Sequence, residues 1–189
     1  LRAWDAAGAA LPARLALAGT RLALRIDDRG ARYPLTIDPL VYIEHKLLAS
    51  GHAEDQFGVA VALDGNTALV GASGDDIAGR QSQGAAYVFV RAGSAWRLQA
   101  RLVASDGAAR DEFGRAVALL GATAVVGAYK DDVDGRVDQG SAYVFARTGI
   151  TWTQQAKLTA TDGAAADGFG CAVAISGATI LAGAYNDGI

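Results

Sequence analysis

Carboxylates are the residues best able to do chemistry in this 189-residue chain, and their spacing is regular. Asp55, Asp111 and Asp167 each stand two residues before a Phe-Gly pair, and Asp75-Asp76 and Asp131-Asp132 each open a Gly-rich stretch. In the second stretch Asp132, Asp134 and Asp138 alternate around Gly135. That matches three of the four acidic positions of a DxDxDGxxxD-like loop, in which oxygen ligands surround calcium and the glycine permits a sharp turn. Lys130 holds the first ligand position, and the matching stretch upstream has only Gly74, Asp76, Ala78 and Ser82. Calcium is thus the expected metal, with Asp132, Asp134 and Asp138 as its ligands. Asp also closes turns through its own backbone, so each carboxylate has a structural use too.

Other reactive groups are thin. His45 and His52 are the only histidines; His45 aligns with Ala100 and Ala156 of an outer strand, and His52 falls in a loop. Cys171 stands where Val59 and Arg115 stand in other repeats, so the pattern demands no thiol there. One cysteine forms no intrachain disulfide, and no Cys/His cluster is spaced for zinc. Trp96 and Trp152 each begin a strand after a turn, where an aromatic ring packs a sheet edge. No nucleophile, base and metal share a motif, so catalysis is not expected. The formal charge of −3 is spread along the chain without a basic stripe, which argues against nucleic acid. No run approaches the roughly 18 apolar residues of a membrane span. The chain contains no methionine and reads as a segment of a longer protein.

The elements that must position these groups follow from a repeat. Phe57-Gly58, Phe113-Gly114 and Phe169-Gly170 are spaced by 56 residues, and Gly71-Ala72, Gly127-Ala128 and Gly183-Ala184 keep the same step. Tyr87-Val88-Phe89 returns as Tyr143-Val144-Phe145, and Trp96 as Trp152. Each unit reads as four strands: Val59–Leu63, a turn at Asp64-Gly65-Asn66, Thr67–Ala72, a long polar loop, Ala85–Val90, a turn at Ala92-Gly93-Ser94, and Trp96–Ala104. The first three are apolar on both faces, as strands between neighbouring sheets must be. The fourth alternates with Arg97, Gln99 and Arg101 and should meet water. Radially repeated four-stranded sheets make an all-β propeller.

The stretches FGVAVALDGNTALVGA, FGRAVALLGATAVVGA and FGCAVAISGATILAGA, each followed by a GxAYVF-type strand where the chain continues, resemble FG-GAP repeats, the blades of integrin-α-like propellers. The resemblance implies a ring of about seven blades, a place outside the cytoplasm or on the cell surface, and adhesion or ligand recognition. It runs from about Val41 to the end: a terminal strand over Val41–Ala49, two whole blades, and two strands of another. Further blades of the same chain are therefore expected partners. In integrin-like blades the calcium cage lies between Phe-Gly and Gly-Ala; here that connection is a short turn with no room for one.

Residues 1–40 lack the repeat. Leu15 and Leu17, then Gly19-Thr20, then Leu22, Leu24 and Ile26 alternate as a hairpin, and ARYPLTIDPL resembles the strand that precedes FG-GAP arrays in bacterial surface proteins. The domains expected are the end of a preceding β-rich domain over 1–40 and incomplete propeller blades over 41–189. In antiparallel blades the long loops share one rim, which gathers Asp75, Asp76, Asp106, Asp111 and Asp131 with Asp132, Asp134 and Asp138. This rim is the expected ligand surface for a protein or carbohydrate. The alternatives are an accessory propeller of a larger secreted hydrolase, or a spacer.

Overall fold

A computed structural model describes residues 2–18, 21–38, 46–48 and 53–188. The chain divides into two compact units, Leu1–Lys46 and Leu47–Ile189.

In the first unit β1 (Arg2–Trp4) lies between β2 (Ala10–Leu11) and β5 (Thr36–Asp38), antiparallel to both. The Asp5 carboxylate holds the turn after β1 by accepting the amides of Ala7, Ala9 and Arg32. The hairpin expected around Gly19-Thr20 is present as β3 (Ala13–Ala18) and β4 (Arg21–Ile26), paired from Ala13↔Ile26 to Ala18↔Arg21. Its turn lies outside the described residues. So do His45, His52 and most of the terminal strand expected over Val41–Ala49.

The second unit contains the repeat. β6 (Phe57–Asp64), β7 (Thr67–Ala72), β8 (Ala85–Ala92) and β9 (Ala95–Leu102) form one antiparallel meander. β10 (Ala116–Leu120), β11 (Thr123–Ala128), β12 (Ser141–Thr148) and β13 (Thr151–Leu158) form the next, and β14 (Ala172–Ser176) with β15 (Thr179–Gly183) begins a third. These are blades of a partial β-propeller, and no α-helix occurs among the described residues. β7 is buried throughout and Arg97 and Arg101 of β9 are exposed, as expected. β6, expected to be dry on both faces, instead exposes Val61 and Leu63, because among the described residues no neighbouring blade covers that face.

What joins blade to blade is apolar packing plus a main-chain ladder. Leu69, Val88 and Leu102 of the first blade share a core with Phe113, Leu119, Val126 and Phe145 of the second. Leu119 is 9 % exposed there, whereas Leu63, its equivalent on the uncovered face of the first blade, is 68 % exposed. Phe113 is fully buried, edge-on to Tyr143 at 5.5 Å and Phe145 at 6.0 Å. The amides of Arg110, Glu112 and Phe113 donate to the carbonyls of Gln81, Ser82 and Gln83 at 2.8, 3.1 and 2.9 Å. Ala166, Gly168 and Phe169 repeat those bonds onto Val137, Asp138 and Gln139. The contact is close enough that a Cβ on Gly127 lies 1.9 Å from the Gly170 carbonyl oxygen, so only glycine fits.

Candidate functional site

The long loops of the two whole blades share a construction. Ile77 and Val133 bridge to Arg80 and Arg136 across two-residue turns whose central residues, Ala78-Gly79 and Asp134-Gly135, all have positive φ. Mirror-image turns of this kind favour Asp-Gly, which explains Asp134 without a ligand. The base of each loop is strapped by an aspartate: Asp76 Oδ1 accepts the Ser82 amide at 2.8 Å, and Asp132 Oδ1 accepts the Asp138 amide at 2.9 Å. Lys130, at the would-be first calcium position, is ion-paired with Glu112 at 2.6 Å, a bond that holds its ammonium protonated above the usual lysine range. Asp132, Asp134 and Asp138 do not gather into a cage. Among the described residues no three Asp, Glu, His or Cys side chains come together to hold a metal ion.

The structure does bring Asp106 and Asp131 onto one cation at the junction of the blades, with Asp111 close enough to feel the charge of Asp131. Lys157 on β13 reaches Asp106 and Asp131, each at 2.7 Å. Tyr143 donates towards Asp106 at 3.0 Å and Asp131 at 3.1 Å, and the Ser141 hydroxyl donates to Asp131 at 2.5 Å. Burial works against the Lys157 charge, but its bonds to Asp106 and Asp131 outweigh that and raise its pKa. Burial likewise pushes the Asp106 carboxyl up, while Lys157 and Tyr143 carry it below the usual range. Asp111 differs. It is 3 % exposed, and its carboxylate accepts the Ala108 amide at 2.6 Å. Burial, aided by the charges of Asp131 and Asp132, pushes it up to about 6.

Asp75 is the first blade's equivalent of Asp131, buried and accepting the Tyr87 hydroxyl at 2.5 Å. Burial, then the Asp75 contact, pushes Tyr87 up to about 12. Sequence reasoning missed the partners Lys157, Tyr143 and Ser141. The signal was available: Arg101 and Lys157 are cations in register with Tyr87 and Tyr143.

Trp96 and Trp152 pack the blade edges as expected. Arg91 and Arg147 stand over their rings at 5.8 and 5.4 Å, and Trp152 Nε1 donates to Gln99 at 3.0 Å across the blades. Cys171 donates its S–H to the Gly183 carbonyl at 3.3 Å.

On the loop rim the blades leave open clefts. One, of about 660 Å³, is lined by Arg110, Asp111, Glu112, Lys130, Asp132 and Asp138 together with Gln81 and Ser82 of the preceding blade. Another, of about 610 Å³, is lined by Glu54, Asp55, Gln56, Gly74, Asp76, Gln81 and Ser82. Every residue of the second cleft is the equivalent, 56 positions earlier, of a residue lining the first. The loop at Gln81-Ser82 is the wall between them.

A sequence model described as FG-GAP repeat matches residues 43–89, 96–145 and 152–189. No curated protein is similar enough to the chain to count as a match.

Proposed function

The chain belongs to the FG-GAP repeat family, and from that premise we propose that it is a non-catalytic binding module acting outside the cell or at its surface, with its ligand on the rim of long Asp/Gly-rich loops. The observation that carries this reading is the cleft built twice in the same repeat positions. A groove that recurs with each blade offers adjoining subsites for an extended protein or carbohydrate ligand. Its polar groups stand on loops held by rigid sheets, where binding residues concentrate. Arg110 and Lys130 supply donors, while Glu112, Asp132 and Asp138 supply acceptors.

The test is solid-phase binding of the chain to arrays of immobilised glycans and immobilised extracellular proteins. Arg110→Ala and Lys130→Ala should weaken the retained signal, whereas Ile150→Ser on the opposite rim should not. Loss only with Ile150→Ser, or no retained partner at all, overturns the reading in favour of a spacer. Cleavage of an arrayed glycan would instead favour a hydrolase.

A further inference from the structure

We infer that the N-terminal unit holds a binding site for a tetrahedral dianion, phosphate or sulfate, formed by Arg14 and Arg25. In the β3–β4 hairpin Arg14 is the direct cross-strand partner of Arg25. Like charges placed directly opposite destabilise an antiparallel pair, and a two-stranded hairpin has little stability to lose. Both residues are exposed, and neither guanidinium is hydrogen-bonded or ion-paired among the described residues. The nearby carboxylate is already engaged: Asp27 takes Arg29 in a two-pronged contact, Nε to Oδ1 at 2.8 Å and Nη2 to Oδ2 at 2.5 Å.

The arginines line a cavity of about 540 Å³ with Pro12, Ile26 and the Arg29–Asp27 pair. Three guanidiniums against one carboxylate leave a charge excess of +2 in that cavity. This is not what the composition of an acidic chain produces. Residues 1–46 have seven Lys and Arg against five Asp and Glu, while residues 47–189 have ten against fifteen. A guanidinium offers paired N–H donors that match two oxygens of an oxyanion, and two opposed guanidiniums can share one such group. A dianion there removes the cross-strand repulsion and matches the excess charge, which a carboxylate does not.

The experiment compares the whole chain with Arg14→Gln, Arg25→Gln and, as a control in the second unit, Arg115→Gln. Equilibrium dialysis against labelled inorganic phosphate and sulfate is run at constant ionic strength, with acetate as the monoanion and chloride as reference. Saturable binding of phosphate or sulfate is expected, weakened about ten-fold or more in each hairpin variant and unchanged in Arg115→Gln. In chloride the hairpin variants should melt no lower than the wild type, because an opposed charge has been removed. Phosphate and sulfate binding no better than chloride, or equal loss in Arg115→Gln, overturns the site. Stronger binding of acetate overturns the dianion assignment. Neither result touches the loop-rim reading, which rests on the other unit.

Discussion

Asp111 sits between two blades with Asp131 and Asp132 as neighbours, and its carboxyl is pushed up to about 6 from an ordinary 3.8. The folded chain therefore takes up this proton at a higher pH than the unfolded chain does. The resulting penalty is present in full above about pH 6 and is relieved as pH falls towards about 4, so this group makes the fold more stable on mild acidification. The shift sets an upper bound of about 3 kcal/mol. Asp111→Asn keeps an acceptor for the Ala108 amide and removes the charge. It should be more stable than wild type near pH 7 and lose this component of pH dependence between about 4 and 6, as read by urea unfolding. An unchanged pH profile would place Asp111 in a wetter setting. Phe113 makes a separate case: with its ring fully buried among residues of two blades, Phe113→Ala should cost about 3 to 5 kcal/mol in the same assay. A loss under roughly 1 kcal/mol would remove it from the core.

The loop from Tyr129 to Gln139 is an element whose backbone is closed by the Asp132 carboxylate. Asp132→Ala should cost about 1 kcal/mol through the lost bond to the Asp138 amide, and the loss should be the same in calcium and in a chelator. A calcium-dependent melting temperature that disappears in Asp132→Ala would instead favour the calcium expected of this loop. The blade junction is the other element open to test. Gly127→Ala drives a methyl against the Gly170 carbonyl, backbone against backbone, and should destabilise by about 3 kcal/mol. A neutral effect in thermal unfolding would mean that the blades stand farther apart than 1.9 Å allows. Gly127 and Gly170 thus explain two glycines of the repeated motif at once: each is where one blade's backbone meets the next.

Within the second unit the outward face of the first blade exposes Val61 by 71 % and Leu63 by 68 %, and Leu181 of the third blade is 68 % exposed. The first two positions are covered in the second blade, where Val117 and Leu119 pack in the inter-blade core. Uncovered apolar sheet faces associate. The chain should therefore sediment as concentration-dependent oligomers, and Val61→Asp with Leu181→Asp should shift it towards monomer. A monodisperse wild-type monomer in analytical ultracentrifugation would show that these faces are covered.

Sequence alone determined the repeat, the four strands of each blade and the family, because a 56-residue period in Phe-Gly, Gly-Ala and Tyr-Val-Phe reports local hydrophobic pattern and turn chemistry. It also placed Asp132, Asp134 and Asp138 on a long loop. Which backbone group a carboxylate of that loop meets was decided by tertiary structure, as in the bond from the Asp138 amide to Asp132. Lys157 makes the point most clearly. It lies 51 residues from Asp106 and 26 from Asp131; strand pairing within its own blade brings it to Asp131, and the link from the preceding blade brings Asp106, each at 2.7 Å from its ammonium. The opposed arginines of the N-terminal hairpin likewise follow from strand register, which a one-residue slip would have changed.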